Sequence, residues 1–269
     1  MSLIDTHTHL ESFARRGEVD AVLQRARDAG VRQLITIGTS TEDWTLYREL
    51  AARYAGEVFY TAGLHPCSVD ENWERELSSL AAFWDDAPES ARPLALGECG
   101  LDRFHLLKND TAAAERIFAW QRAAFEAQLA LAKRLGCPVV VHSRGAFAES
   151  VAMIDASGVD WTKVVFHCFS EGPLEIAELM NRGGYGSFTG ILTYKSAENV
   201  RAAATAQGLD RVMIETDAPY LTPMPHRGKP SEPAFLRHTA EFAAREVFGV
   251  TDAVFAEISS ANARRFFGL

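Results

Sequence analysis

Six side chains with nitrogen or oxygen donors lie at or near the ends of short apolar segments of this sequence. They are His7, His9, Glu98, His142, His167 and Asp217. An unpaired polar group is costly in such a setting, so each of the six needs a partner. Imidazole and carboxylate donors together suit divalent transition-metal ions and, with enough oxygen ligands and water, Mg²⁺. These residue types therefore predict metal chemistry, provided that the fold brings them together.

The earliest of these donors form an H-x-H motif in the segment LIDTHTH. His7 and His9 are two residues apart, so strand alternation places both imidazoles on one face, with Asp5 deeper below them. This spacing alone is shared by metal ligands and by hydrogen-bonded core histidines. The other four donors favour the interpretation as ligands.

The size of the donor set predicts two divalent ions, because six protein ligands around one ion would leave little room for water and substrate. The first ion would be held by His7, His9, Glu98 and Asp217. The second would be held by His142, His167 and a bridging Glu98. Mg²⁺, Mn²⁺, Zn²⁺, Ni²⁺ and Fe²⁺ all remain open as the metal. This donor set leads us to expect metal-assisted hydrolysis, in which the ions activate a water molecule and Asp217 accepts its proton.

Three further residues are predicted to contact an anionic substrate. His65 follows the third apolar segment in GLHP, Arg144 follows the fifth, and Arg227 lies in the proline-rich loop 221–233. The planar guanidinium group matches phosphate oxygens in shape and charge. We expect His65 to contribute to catalysis as well as to binding.

Four other residues receive structural interpretations. His105 and His238 are expected to be surface or helix histidines. Cys99 and Cys168 each follow a predicted ligand directly, so alternation should turn both toward the helices.

Eight strand-like segments alternate with amphipathic segments along the chain. The predicted strands cover 3–9, 31–38, 58–64, 93–98, 138–142, 163–168, 185–189 and 212–217. The clearest predicted helix covers 111–135 and ends at Gly136. Repeated strand–helix units imply parallel strands, and eight of them predict an α/β fold with a single (β/α)8 TIM barrel. A doubly wound open sheet is the alternative.

The composition narrows the class of protein. The chain has 269 residues and a net charge of −9. This negative charge argues against a protein that binds duplex nucleic acid non-specifically, and any anionic substrate must be bound by positive charges within the site itself. No Pro/Ser-rich linker divides the chain, which predicts one domain over residues 1–269. No apolar run reaches the roughly 18 residues that span a bilayer. We therefore expect a cytoplasmic protein without membrane association or an obligate protein partner.

Nine blocks of the sequence make the chain resemble the TatD-type metal-dependent deoxyribonucleases of the amidohydrolase superfamily. They are IDTHTHLE (4–11), TAGLHP (61–66), GECGLD (97–102), VVVHSR (139–144), VFHCFS (165–170), TGILTYK (189–195), IETDAPYL (214–221), RGKPSEP (227–233) and NARRFFGL (262–269). The resemblance implies a barrel with two divalent ions held at the six positions above. It also implies phosphodiester hydrolysis, often from the 3′ end of single strands.

Five positions depart from the family pattern: Glu11, Cys99, Arg103, Glu171 and Ser231. Arg103 stands where tyrosine is usual and Ser231 where asparagine is usual, which leaves the choice of substrate open. The predicted function is that of a metal-dependent hydrolase that cleaves phosphodiester bonds of single-stranded DNA from the 3′ end, with RNA as the second candidate substrate. The alternative substrates for hydrolysis at the same site are another ester, a lactone, a phosphotriester, a cyclic amide or aminoacyl-tRNA. A metal-binding scaffold without turnover is the alternative from another class.

Overall fold

The computed structural model describes residues 2–269, in which eight strands alternate with helices. The strands are β1 Leu3–Thr8, β2 Val31–Thr36, β3 Val58–Tyr60, β4 Leu96–Asp102, β5 Val139–Arg144, β6 Val164–Phe166, β7 Tyr185–Phe188 and β8 Met213–Ile214. The α-helices are α1 Glu11–Arg15, α2 Val19–Asp28, α3 Thr41–Arg53, α4 Trp73–Asp85, α5 Thr111–Leu135, α6 Phe147–Ser157, α7 Pro173–Arg182, α8 Glu198–Gln207, α9 Leu236–Phe242 and α10 Asp252–Phe267. A π-helical turn, Ala243–Phe248, continues α9.

All the strand pairings are parallel, and each strand pairs with its neighbours in chain order. Strands β1 to β3 form one set and β4 to β8 form another. Two bridges join the sets, between Ala62 and Leu96 and between Thr8 and Ala218. The N–H group of His9 also donates to the Ala218 carbonyl (2.8 Å). The eight strands therefore close into the predicted TIM barrel, and the open sheet is excluded.

Close backbone approach between strands shapes the region around Glu98. The sequence predicts the fourth strand over 93–98, but β4 continues to Asp102, so Glu98 lies inside the strand. A Cβ atom at Gly63 would lie 2.5 Å from the Cα atom of Gly97. Glycines therefore allow the segment after β3 to approach β4 closely beside Glu98, which the apolar pattern alone does not reveal.

The eighth strand is shorter than the predicted range 212–217, so Asp217 lies in the loop that follows β8. Its φ angle is +54°. Aspartate and asparagine are among the few non-glycine residues that adopt this left-handed conformation readily. The Asp217 N–H group donates to the carbonyl of His7 (2.8 Å), which fixes the turn against β1.

Apolar side chains fill the part of the barrel below the ionisable donors. Ile4, Val140 and Met213 belong to a buried cluster that also contains Phe266 and Phe267 from α10. The long helix predicted over 111–135 is confirmed as α5, with Gly136 at φ +64° after its last turn. Within residues 2–269, no helix combines the length and apolarity needed to cross a membrane.

Candidate metal centre

The structure brings the six predicted donors together at the carboxyl ends of the strands, around Glu98. Glu98 Oε2 lies 3.4 Å from His7 Nε2 and 3.9 Å from His9 Nε2. Asp217 Oδ1 lies 3.7 Å and 3.3 Å from the same two nitrogens. These four residues form the first half of the centre.

The other oxygen of Glu98 serves the second half of the centre. Glu98 Oε1 lies 2.8 Å from His142 Nδ1 and 2.6 Å from His167 Nε2. His65 Nε2 lies 3.3 Å from the same oxygen. One carboxylate thus offers one oxygen to each half, which is the arrangement that a bridging ligand requires.

The spacing of the donors in the first half fits a cation. Bonds of about 2.0–2.1 Å to N and O ligands in a tetrahedron put neighbouring donor atoms about 3.3–3.4 Å apart. The pairs from His7 to Glu98 (3.4 Å) and from His9 to Asp217 (3.3 Å) have this separation. In the described part of the chain, neither ring nitrogen of His7 has a hydrogen-bond partner although both are buried. Such orphaned groups are rare in native proteins and require an explanation, and an ion beside Glu98 would supply a partner for Nε2.

The electrostatics of the centre also favour cations. Burial opposes ionisation of Glu98, but the surrounding imidazoles hold its pKa well below the usual range. Burial likewise opposes ionisation of Asp217, yet its hydrogen bond with His9 and the nearby imidazole charges keep its pKa low. Burial lowers the pKa of His7, which favours the neutral ring that ligates metals. The buried carboxylate of Glu98 and the partly buried carboxylate of Asp217 therefore face ring nitrogens around a space in which they would stabilise a cation.

A carboxylate outside the predicted set orients His142. Asp102 is fully buried at the end of β4, and its Oδ2 lies 3.0 Å from His142 Nε2. The opposite ring nitrogen, Nδ1, faces Glu98. Carboxylates commonly hold the second nitrogen of a metal-binding histidine in this way, which fixes the orientation of the ring.

Glu215 faces His167 at a longer distance than that between Asp102 and His142, and it was also missed from the sequence. Its Oε1 lies 3.6 Å from His167 Nδ1 and accepts a hydrogen bond from the Cys168 N–H group (2.6 Å). The Ser187 hydroxyl donates to its other oxygen (2.5 Å). Glu215 precedes Asp217 by two residues, and strand alternation places residues two apart on the same face. The sequence could therefore have predicted a second carboxylate on the side of Asp217.

Asp5 supports the loop that carries Asp217. Its carboxylate is fully buried and accepts hydrogen bonds from the Thr216 N–H group (2.9 Å) and the Thr216 hydroxyl (2.6 Å). Burial raises the pKa of Asp5 to about 7. The pairing of β1 with β2 is irregular between Asp5 and Thr8, so strict alternation does not hold along this strand.

A cleft of about 640 Å³ opens above the centre and contains His65 and Arg144 in its lining. The Cys67 N–H group donates to His65 Nδ1 (3.0 Å), so the neutral His65 ring carries its hydrogen on Nε2, which lies 3.3 Å from Glu98 Oε1 at the base of the cleft. The Arg144 guanidinium packs over the ring of Phe104, with Cζ 3.8 Å from the centroid.

Two interpretations from the sequence need correction. Arg227 lies outside the lining of the cleft, because its guanidinium packs over the ring of Tyr194 (4.2 Å). Cys168 lines the cleft instead of facing the helices, because its φ of +46° breaks the alternation of the strand. His105 is exposed, as predicted, but it also lines the cleft, which the sequence did not indicate. Cys99 is buried in the apolar core, as predicted.

A closed parallel barrel with imidazole and carboxylate donors gathered at its strand ends is the architecture of a metal-dependent hydrolase. The family model for TatD related DNase matches residues 4–268. The chain therefore belongs to the TatD-related family of metal-dependent hydrolases.

Individual relatives agree with this assignment. The chain is 33% identical to the uncharacterized metal-dependent hydrolase YcfH of Escherichia coli K12, over 99% of this chain and 96% of the relative. It is 34% identical to the 3′-5′ ssDNA/RNA exonuclease TatD of Edwardsiella piscicida, over 99% of this chain and all of the relative (100%). The crystal structure of YjjV, a TatD homologue from E. coli K12, superposes with a TM-score of 0.88 at 25% identity, covering 99% and 98% of the two chains.

Proposed function

We propose that this protein is a nuclease that hydrolyses phosphodiester bonds of single-stranded nucleic acid from the 3′ end, with two divalent ions at the Glu98 centre. The observation that carries the proposal is the division of the Glu98 oxygens between two groups of ring nitrogens, 3.4 Å from His7 and 2.6 Å from His167. The resemblance to the exonuclease of E. piscicida supports the choice of substrate. Residues 1–269 would form one hydrolase domain.

Exposed aromatic side chains beside the cleft support a single-stranded substrate. Tyr220 lines the cleft and is 61% exposed, and Phe104 is 51% exposed under the Arg144 guanidinium. Unpaired bases stack on such rings, which contributes about 1–3 kcal/mol per base in known complexes. A duplex does not present its base faces in this way. The cleft therefore fits an unstacked 3′ end of a single strand better than it fits a double helix.

The chain's own residues then have distinct tasks. When bound, divalent ions at this centre act as Lewis acids that make water a better nucleophile and stabilise charge on phosphate oxygens. Asp217 accepts the proton of the attacking water, because its low pKa keeps the carboxylate ionised at neutral pH. His65 donates a hydrogen bond from Nε2 to a phosphate oxygen or to the leaving oxygen. Arg144 holds the phosphate at the mouth of the cleft.

Degradation of end-labelled single strands tests the proposal. The protein is stripped with a chelator and supplied with individual metals, and 3′- and 5′-labelled DNA and RNA are compared with duplex DNA. A simple lactone and an acylated tRNA are run in parallel. We expect metal-dependent loss of nucleotides from the 3′ end of single strands. Turnover confined to the lactone or the acylated tRNA would contradict the proposal, as would nuclease activity that survives chelation.

A further inference from the structure

A second group of metal-binding side chains lies outside the six donors, at the edge of the same cleft. Cys67 Sγ lies 3.7 Å from Asp102 Oδ2 and 3.7 Å from His105 Nδ1. The carboxylate and ring atoms of the last two residues are 2.7 Å apart. A thiol, a carboxylate and an imidazole thus present one donor atom each to a common point.

The backbone holds these three residues in place. Cys67 lies in the 3₁₀ turn Pro66–Ser68, whereas Asp102 ends β4. The buried side chain of Gln121 connects the two segments. It accepts a hydrogen bond from the Asp102 N–H group (3.0 Å) and donates one to the Pro66 carbonyl (3.2 Å). The His105 N–H group donates to Asp102 Oδ1 (2.8 Å), which fixes the turn after β4. The donors are therefore positioned by contacts that a bound ion would not have to create.

The separations match those around a four-coordinate ion. Bonds of about 2.3 Å to sulfur and about 2.0–2.1 Å to N or O put the sulfur about 3.6 Å from the other donors in a tetrahedron. Both observed sulfur distances are 3.7 Å. The ring of His105 would have to move away from Asp102 by a fraction of an ångström. Its side chain is 53% exposed and touches the Phe104 ring edge-on, with the ring centroids 5.0 Å apart, so the imidazole can shift toward solvent.

We propose that Cys67, Asp102 and His105 form a third cation site, which takes a borderline-soft divalent ion of the Zn²⁺ class. The thiolate selects such ions over Mg²⁺ and Ca²⁺, which prefer oxygen ligands alone. Three protein ligands leave a fourth position for water or an anion. The site does not depend on what the cleft hydrolyses.

The alternative for this group is a reactive thiol, and the surroundings of Cys67 argue against it. Partial burial and the carboxylate of Asp102 raise the pKa of the Cys67 thiol to about 12. A nucleophilic or redox-active cysteine needs the opposite shift. A coordinated cation, in contrast, deprotonates a thiol outright.

The third site is connected to the centre through a shared oxygen. Asp102 Oδ2 faces both His105 Nδ1 (2.7 Å) and His142 Nε2 (3.0 Å). An ion bound to that oxygen would compete with His142 for it. Occupancy of the third site should therefore alter the orientation of a ring that contacts Glu98.

Co²⁺ titration of the full chain tests the third site, because thiolate ligation gives an intense charge-transfer absorption that N and O ligands do not give. The six donors of the centre include no thiolate, so the signal is independent of the proposed nuclease function. We expect the wild type to show the thiolate band. Cys67→Ser should abolish it and lower the Co²⁺ content by one equivalent per chain. His105→Gln should weaken Co²⁺ binding at the same site.

Cys168→Ser is the matched control, because Cys168 lines the same cleft but lies outside the group. This variant should retain the band. Absence of the band in the wild type, its persistence in Cys67→Ser, or its loss only in Cys168→Ser would each overturn the proposal. Cys67 and His105 are exposed, and circular dichroism of both variants verifies that they remain folded.

Discussion

Replacing Asp217 with asparagine tests the proposed proton acceptor with little disturbance of the fold. Asparagine has the same size and adopts positive φ as readily as aspartate, so the turn at φ +54° should persist. The hydrogen bond from the backbone N–H group of residue 217 to the His7 carbonyl does not involve the side chain. The substitution removes a negative charge 3.3 Å from His9 Nε2.

The expected loss follows from the role of that charge. A positioned general base contributes about 10²–10⁴-fold to the rate. An amide cannot accept the proton of water at neutral pH, so kcat for single-stranded DNA should fall by at least about 100-fold. The change also removes the charge of a proposed ligand in the first half of the centre, so metal affinity should fall too. The two effects must be measured separately.

The assay measures initial rates on 3′-labelled single strands across a range of metal concentrations, with metal content per chain measured on the same samples. Asp210→Asn is the matched control. Asp210 is an exposed aspartate that precedes the first residue of β8, whereas Asp217 follows the last residue of that strand. The control should retain wild-type kcat, and both variants should unfold at similar temperatures. Full metal content with unchanged kcat in Asp217→Asn would refute the role of this carboxylate.

Four further substitutions test supporting features of the structure. Glu215→Gln should lower metal affinity or turnover by about 10–100-fold, measured by metal titration, because the carboxylate faces His167 Nδ1 at 3.6 Å. Arg144→Ala should raise KM for single strands more than it lowers kcat. Arg227→Ala should change neither constant, because Arg227 lies outside the cleft lining. Equal effects of the two substitutions in steady-state kinetics would contradict the assignment of phosphate binding to Arg144. Burial raises the pKa of Asp43 from 3.8 to about 6, so the folded state favours the protonated form and loses stability as pH rises through this window. Asp43→Asn should therefore gain up to about 3 kcal/mol relative to wild type between about pH 4 and pH 7 in denaturant titrations, and a difference that does not vary with pH would contradict the shift.

The six donors of the centre could be identified from the sequence because each ends or follows an apolar segment. Parallel strands in a barrel deliver such residues to one mouth whatever their distance in the chain. His7 and Asp217 are separated by most of the sequence, yet their donor atoms are 3.7 Å apart. The prediction needed only residue types, strand periodicity and the expectation of a closed barrel.

The residues that were missed lack this periodic signal or depend on contacts between segments. His105 lies in a loop after β4, and its place at the cleft follows from its contacts with Asp102 and Cys67. The same limit explains Cys168, since alternation predicts its direction only while the backbone stays extended. Its φ is +46°, and its N–H group donates to Glu215, which is a contact between the segments that follow β6 and β8.

The charge of the protein and its proposed substrate are compatible because capture of the phosphate is local. The net charge of −9 would repel a polyanion at long range. At the centre, however, two divalent ions would carry more positive charge than Glu98 and Asp217 carry negative charge, and Arg144 adds to it at the mouth. The buried carboxylates of Asp102 and Glu215 face the outer nitrogens of histidine rings, so their charge orients ligands without entering the phosphate site. A barrel of this kind can therefore be acidic overall and still bind a single phosphodiester strongly at one end.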